Sequence, residues 1–202
     1  MGIAERKERE AQEMRTKIIN AAMQMFVDKG FEETSIRQIA KSIEYSPAAL
    51  YRYFANKDEL FYAVHACVFD LLYDHLKTVQ NIEHPVHRLI EMGRMYLDFA
   101  LKNQEYYELL FVQKSPMQTE ITEDEWSCVM NTFGLLQNTV KDCIEQGYFS
   151  NTDLHTTTLI CWSNMHGMIT LYFRDRMKMY PEEHRLKLIH QSVAMMIDLL
   201  QK

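Results

Sequence analysis

Apolar side chains recur every three or four positions through most of this 202-residue chain, and no segment alternates regularly between apolar and polar residues. The three-to-four spacing is that of one face of an α-helix, whereas alternation is typical of a β-strand. Glycine and proline are scarce, and most of them fall where the helical pattern breaks. The pattern therefore predicts an all-α fold of about nine helices.

The first 60 residues contain two short helical patterns in close succession. A preceding helix, with Phe26 on its inward face, is expected to end at Gly30. Residues 34–40 and 46–54 each have one apolar face and are separated by a tight connection. Ser46 is a good N-cap for the second of them. Two short helices joined by about four residues indicate a helix-turn-helix, the unit that places its second helix in the major groove of DNA.

The block from residue 31 to residue 60 resembles the DNA-binding domain of the TetR family of bacterial transcriptional regulators. The matching elements are Gly30-Phe31, Thr34-Ser35, Ile39-Ala40, Ser46, Leu50-Tyr51, Tyr53-Phe54 and Lys57-Asp58-Glu59-Leu60. One residue departs from the family pattern, because Glu44 occupies the place of the usual glycine in the turn. A glutamate there is either strained in a left-handed conformation or forces a different turn.

The resemblance, together with the outward positions of the second short helix, implies a DNA-contacting role for twelve residues. Residues 45–49 are expected nearest the base edges, and Arg37 and Arg52 can reach a base or the backbone. The others are expected to contact phosphates. The full set is Thr34, Ser35, Arg37, Tyr45, Ser46, Pro47, Ala48, Ala49, Tyr51, Arg52, Tyr53 and Lys57. For Tyr51 and Phe54, the alternative is a core position that locks the three-helix head.

The net charge of −6 lies outside this head. Residues 1–60 contain 10 basic and 10 acidic side chains, whereas the rest of the chain contains 12 basic and 18 acidic ones. A neutral head predicts modest non-specific affinity for DNA, so that dimeric avidity is needed. We therefore expect a helix-turn-helix DNA-binding domain over 1–60 and a helical ligand-binding and dimerisation domain over 61–202.

Composition argues against several other classes of protein. The chain has no run of about 18 apolar residues, no apolar amino-terminal segment and no paired cysteine spacing. These features predict no membrane span, no signal peptide and reduced thiols, and hence a cytoplasmic protein. His84 and His87 have helical spacing, but Pro85 lies between them and no further ligand completes a zinc set. We expect neither a metal nor a cofactor.

Proline and capping residues delimit the helices of the body. A fourth helix of about 22 residues is expected to link head and body. The later helices are expected at Pro85 to about Asn103, Glu105 to Val112, Thr122 to Gly147, after an Asn151-Thr152-Asp153 cap, and from Pro181 to the end.

The last two helices are predicted to form a dimer interface. On the ninth helix apolar residues recur at three and four, and one face of the eighth has small residues that permit close approach. Two such helices from each subunit would make a four-helix bundle. The predicted interface consists of Ser163, Gly167, Leu171, Leu186, Ile189, Val193, Met196, Ile197 and Leu200.

The body is also expected to hold a sensor site, an apolar cavity with a few polar groups. Its candidate lining residues are Tyr96, Phe99, Tyr106, Phe111, Met130, Phe133, Trp162, Met165 and His166. The alternative for each is that it simply fills a helical core. Trp162 with His166-Gly167 also resembles the tryptophan-histidine-glycine signature of one TetR carboxy-terminal class.

Together these features favour a DNA-binding regulator over an enzyme, because the sequence contains no phosphate loop, nucleophile elbow or catalytic acid pair. The expected protein is a homodimeric, sequence-specific transcriptional repressor on a palindromic operator. A small apolar or amphipathic effector is expected to release it. The alternative is a DNA-bound interaction protein that senses no small molecule and recruits a protein partner instead.

Overall fold

The structure, a computed structural model, describes residues 2–112, 123–150 and 153–201. Every regular element in these ranges is helical, which confirms the all-α prediction. The helices are α1 (Ile3–Glu33), α2 (Ile36–Ser42), α3 (Pro47–Leu50), α4 (Lys57–Leu76), α5 (Pro85–Lys102), α6 (Gln104–Phe111), α7 (Glu123–Glu145), α8 (Leu154–Phe173) and α9 (Glu182–Leu200). A 3₁₀ turn, Lys77–Val79, follows α4. The predicted capping residues Thr122, Asn151 and Thr152 lie outside the described residues.

Contacts between the helices divide the chain into two compact units. Unit 1 comprises Met1–Asp70 and Gln104–Cys128, and unit 2 comprises Leu71–Asn103 and Val129–Lys202. The expected domain boundary at residue 60 does not coincide with this division. Most of α4, as well as α6, belongs to the unit that contains the head.

Three phenylalanine rings form the centre of unit 1. The centroids of Phe26, Phe31 and Phe61 are 5.0 to 5.7 Å apart, and all three side chains are buried. Gly30 makes this packing possible, because its φ of +81° interrupts α1 and turns Phe31 back toward Phe26. The helical geometry is broken at Gly30, where the sequence predicted the end of the first helix, and α1 then continues to Glu33. Burial of each ring stabilises the fold by about 1.5 to 3 kcal/mol.

A half-buried histidine connects α4 to α6 within unit 1. The imidazole of His65 stacks on Phe61 with 5.8 Å between centroids and meets the edge of Phe69 at 4.9 Å. Its Nε2 lies 3.4 Å from the carbonyl oxygen of Leu110, and Phe69 contacts Phe111 at 5.8 Å. Burial lowers the pKa of His65, which favours the neutral ring. These contacts explain why α6 clusters with α4.

Unit 2 is built around α5, α8 and α9, which pack on one another. A Cβ atom at Gly93 of α5 would lie 3.3 Å from Met165 Cε and 3.5 Å from Val193 Cγ1, so a larger residue would crowd these neighbours. Arg88, buried in α5, forms an ion pair with Asp142 of α7. Within the described residues, no helix is long and apolar enough to cross a membrane.

The largest difference from the predicted boundaries concerns the second short helix. It was expected to reach residue 54, but α3 ends at Leu50, whose carbonyl oxygen accepts a bond from the backbone N–H of Phe54 at 3.1 Å. This turn buries Phe54, as the core alternative predicted. The capping box expected at the start of α4 is half formed. Asn56 Oδ1 accepts from the N–H of Glu59 at 2.8 Å, but the Glu59 carboxylate accepts from Ala55.

Candidate nucleic-acid interface and effector site

Side-chain caps start both short helices of the head. Ser35 Oγ accepts from the N–H of Gln38 at 3.3 Å, and Gln38 Oε1 accepts from the N–H of Ser35 at 2.8 Å. Ser46 Oγ accepts from the N–H of Ala49 at 3.2 Å, and Pro47 occupies the first turn of α3. Each cap contributes about 1 kcal/mol, which matters for helices this short.

The turn between α2 and α3 is a Schellman motif with glutamate at the glycine position. The N–H of Tyr45 donates to the carbonyl of Ala40 at 2.9 Å, and the N–H of Glu44 donates to that of Lys41 at 3.2 Å. Glu44 has a φ of +64°, the left-handed conformation that favours glycine. Of the two expected possibilities, the chain therefore adopts the strained left-handed residue rather than a different turn.

All twelve residues of the predicted DNA-contacting set belong to unit 1, but their exposure differs. Those that are exposed are Ser35, Arg37, Tyr45, Ser46, Ala48, Tyr51 and Arg52. Pro47, Ala49, Tyr53 and Lys57 are half-buried. Tyr51 is 53 % exposed, which argues against its alternative role in the core.

Thr34 corrects the predicted set, because its side chain is only 2 % exposed. Its hydroxyl lies 2.8 Å from the carbonyl oxygen of Gly30 and 3.1 Å from that of Met25. The hydroxyl therefore satisfies carbonyl groups at the break in α1. A phosphate contact by this side chain is not supported by the structure.

Lys57 has a partner inside the head. Its ammonium donates to the carbonyl oxygen of Phe31 at 2.9 Å and lies 3.9 Å from the centroid of the Phe31 ring. These contacts hold the start of α4 against the end of α1. An ammonium has three donors, so the expected phosphate contact remains a prediction.

Two cations of α1 that were absent from the predicted set lie against aromatic residues on either side of α3. Lys17 Nζ is 4.9 Å from the centroid of the Tyr45 ring, and Arg15 Cζ is 4.9 Å from that of Phe54. The sequence contained a partial signal, since both cations lie within the three residues before Ile18, the first buried position of α1. The aromatic residues that they reach could not be predicted without the fold.

Four of the predicted effector residues form a connected cluster in unit 2. Tyr96 Oη lies 3.4 Å from His166 Nδ1, and the His166 ring lies 5.6 Å from that of Trp162. Phe133 meets Trp162 edge to face at 6.0 Å. Burial lowers the pKa of His166, so the neutral imidazole is favoured. We call these four residues the Tyr96–His166 cluster; they combine apolar rings with a hydroxyl and an imidazole.

The other predicted effector residues are dispersed. Phe99 and Met165 are buried in unit 2, whereas Met130 is 58 % exposed. Tyr106 and Phe111 belong to unit 1 because α6 packs with the head. Sequence alone could not anticipate that division, since α6 follows α5 after a single residue.

The predicted dimer residues on α9 require a correction. Ile189, Val193 and Ile197 are buried within the protomer, because this stripe of α9 packs on α5 and α8. Leu186 is exposed, and Met196 and Leu200 are half-buried. The three buried residues are therefore unavailable to a second subunit in this conformation.

Other residues of the last two helices are exposed in the protomer. On α9 these include Met195 and Leu199, which are 65 % and 62 % exposed. On α8 Ser163, Gly167 and Leu171 of the predicted set are exposed. We call these five residues the α8–α9 face.

Two family models match the chain. One, described as bacterial regulatory proteins, tetR family, matches residues 18–64, and the other, described as tetracyclin repressor-like, C-terminal domain, matches residues 89–199. The second alone covers more than half of the chain. The chain belongs to the TetR family. The first of the two matches includes the helix-turn-helix formed by α2 and α3.

Named relatives agree with the TetR assignment. UidR, an HTH-type transcriptional regulator of Escherichia coli (strain K12), is 33% identical over 94 residues, 46% of this chain and 42% of its own. IcaR of Staphylococcus aureus (strain Newman), described as a negative transcriptional regulator of the biofilm operon icaADBC, is 29% identical over 125 residues, 62% of each chain. The matches thus cover less than two thirds of the length of these relatives.

A solved structure shows the same TetR fold. The fatty acid degradation regulator FadR from Bacillus halodurans superposes with a TM-score of 0.71 at 18% identity, over 88% of this chain and 96% of its own. At that identity the likeness concerns the fold alone. UidR and IcaR are both described as transcriptional regulators.

Histidines and cysteines are the other side chains of this TetR-family chain with possible metal or redox chemistry. The rings of His84 and His87 stack with 4.3 Å between centroids. Within the described ranges, no group of three or more His, Cys, Asp or Glu side chains could hold a metal ion. Burial raises the pKa of Cys143 and of Cys161 to about 12, so both thiols are protonated at neutral pH.

Replacing Glu44 with glycine tests the strain in the turn. The Glu44→Gly variant should raise the free energy of unfolding by about 1 kcal/mol, because glycine adopts a positive φ without the Cβ clash. Glu44→Ala is the matched control, since it removes the charge but keeps the Cβ atom. Urea unfolding of all three proteins measures the difference. Equal stabilisation by alanine would show that charge repulsion, and not backbone strain, is the cause.

Proposed function

We propose that this TetR-family regulator is a homodimeric repressor that reads a palindromic operator with α3 and is released by a small apolar or amphipathic effector. The observation that carries the proposal is the surface around α3. Small and polar residues are exposed on and next to this helix. The Ser46 cap fixes its start, the hydrogen-bonded turn at Glu44 precedes it, and the buried ring of Phe54 anchors the chain after it.

The chemistry of this surface suits the major groove. Ala48 is small and exposed, so the backbone of α3 can approach base edges. Arg52 and Tyr51 are exposed just after the helix, where a guanidinium and a phenol can bind guanine or phosphate. Ser35 is also exposed, but its hydroxyl donates to Gln38 Oε1 at 2.9 Å, so a phosphate contact by Ser35 would replace this bond. Repression is the mode described for IcaR, and we extend it to this chain as part of the proposal.

Removing the guanidinium of Arg52 tests the reading surface. Duplexes that bind the purified protein are first selected from a random pool at fixed physiological salt, and affinity is then measured with excess competitor DNA. Arg52→Ala should weaken operator binding about tenfold or more, the loss expected for one arginine contact with a base. Arg176→Ala, an exposed arginine of unit 2, is the charge-matched control. If Arg52→Ala bound the operator as tightly as the control, the docking surface would be elsewhere.

Dimerisation follows from the half-site geometry of helix-turn-helix readers and from the α8–α9 face. Two heads one helical turn of DNA apart require two protomers. Exposed Met195 and Leu199 supply apolar area, while Ser163 and Gly167 permit close approach of a second helix. On α9 we therefore propose that the interface uses the exposed residues Met195 and Leu199 instead of the predicted residues Ile189, Val193 and Ile197, which are buried in the protomer.

Charge substitution on the α8–α9 face tests the dimer. The double variant Met195→Glu and Leu199→Glu should shift the protein from dimer to monomer in light scattering, because four carboxylates would be buried in one interface. Leu101→Glu places one such carboxylate on an exposed apolar position of α5 and should leave the dimer intact. A double variant that remained dimeric would place the interface on another surface.

The Tyr96–His166 cluster is our candidate for effector recognition. Its rings offer an apolar contact, and the Tyr96 hydroxyl and His166 imidazole are the polar groups that can orient a ligand. The related fold of a fatty acid degradation regulator is a reason to include long-chain fatty acids among the first probes, beside uncharged apolar compounds.

Effector release is tested by titrating the preformed operator complex with each probe. A true effector should dissociate the wild-type complex, and Tyr96→Phe, which removes only one hydroxyl, should raise the required concentration about tenfold. Operator affinity without a probe should be unchanged in this variant. Identical release from both proteins would exclude the cluster. Failure of every apolar probe to release the complex would favour the alternative, a DNA-bound protein that recruits a protein partner.

A further inference from the structure

Arg15 and Lys17 of α1 each contact an aromatic residue that flanks α3. Tyr45 lies under Lys17 two residues before α3 begins, and Phe54 lies under Arg15 four residues after α3 ends. Side chains two positions apart on a helix point to different sides, so one turn of α1 can reach both flanks. We propose that Arg15 and Lys17 are positioning residues that set the orientation of α3 on the operator. The inference rests on the proposed reading surface.

The need for such residues follows from the length of α3. A helix of four residues makes a single turn and gains little from its own hydrogen bonds. Its backbone packs mainly on α2, and α1 in turn packs on α2. The contacts of Arg15 and Lys17 add side-chain links between α1 and the residues that flank α3. A cation 4.9 Å above a ring lies within the range of a favourable cation–π contact.

Lys17 has a second contact that distinguishes it from a solvated surface lysine. Its Nζ lies 3.5 Å from the carbonyl oxygen of Ile43, the C-cap residue of α2. A positive charge is favourable at this end of a helix, where carbonyl groups lack partners. The ammonium thus joins the end of α2 to the ring of Tyr45. Tyr45 is exposed and is expected near the base edges, so fixing its ring affects sequence reading directly.

A direct contact between Lys17 and a phosphate is the competing explanation, and salt dependence separates the two. A lost phosphate contact weakens binding to every sequence and reduces the slope of log affinity against log salt by about one. A lost positioning contact weakens binding to the operator but not to an unrelated duplex, and it leaves the slope of log affinity against log salt unchanged. Lys29→Met is the matched control, because Lys29 is an exposed lysine of the same helix and makes no ring contact with Tyr45 or Phe54.

The experiment measures operator and unrelated-duplex affinity across a salt series for wild type, Lys17→Met, Lys17→Arg and Lys29→Met. Relative to the control, Lys17→Met should lose about three- to fivefold in operator affinity only, with the same slope, and Lys17→Arg should recover it. In a Tyr45→Leu background Lys17→Met should cost less than in the wild-type background, because the ring contact is already absent. Arg15→Met and Arg15→Lys are compared in the same way, with thermal unfolding recorded because Phe54 is buried.

Three results would overturn the positioning role of Lys17. One is equal loss on both duplexes with a slope smaller by about one, which identifies a phosphate contact. Another is operator affinity in Lys17→Met equal to that in the control. A third is that Lys17→Met loses as much operator affinity in the Tyr45→Leu background as in the wild-type background. If the wild type itself did not distinguish the selected operator from competitor, the proposed function would fail first. A DNA-independent check is the ring-current shift of the Lys17 ε-methylene protons, which Tyr45→Leu should abolish.

Discussion

A helix of four residues cannot hold a reading surface by itself, and the DNA-binding head depends on how this constraint is met. Ordering a single turn costs about as much entropy as its bonds return, so α3 must be fixed from outside. Ser46 starts it, the Schellman turn sets its entry, and the buried ring of Phe54 anchors the chain after it. The rest of unit 1, from its phenylalanine core to α6, provides the rigid support on which those contacts act.

The sequence was informative where local rules decide the structure. Caps and turns depend on neighbours in the chain. The helix-turn-helix and the resemblance to the TetR family could therefore be recognised from Gly30, Ser46 and the residues that follow each of them. The length of α3 was overestimated because residues 51–54 contain nothing that forbids a helix. Their turn arises from the burial of Phe54, which is a tertiary effect.

The sequence did not indicate which residues far apart in the chain contact one another. The spacing of Ile189, Val193 and Ile197 correctly indicated a buried face, but periodicity does not say whether a face is covered by the same protomer or by another. Thr34 was predicted to contact a phosphate, but its hydroxyl turns inward to the carbonyl groups of Gly30 and Met25, partners that the local pattern does not specify. The effector candidates were drawn from composition, which cannot separate residues that the fold assigns to different units. Only the Tyr96–His166 cluster brings four of them together.

Glu44 has a consequence for how this regulator can change over evolutionary time. A glutamate codon becomes a glycine codon through a single base substitution, so a relaxed backbone at this turn is one mutational step away. Such a step would raise the free energy of unfolding of the head. A domain near its stability threshold tolerates few further substitutions, and a more stable one tolerates more of them. New side chains on α3, and with them a new operator preference, could then be sampled without loss of folding. The strained turn thus makes the recognition helix of the present chain less free to diversify than that of a relative with glycine.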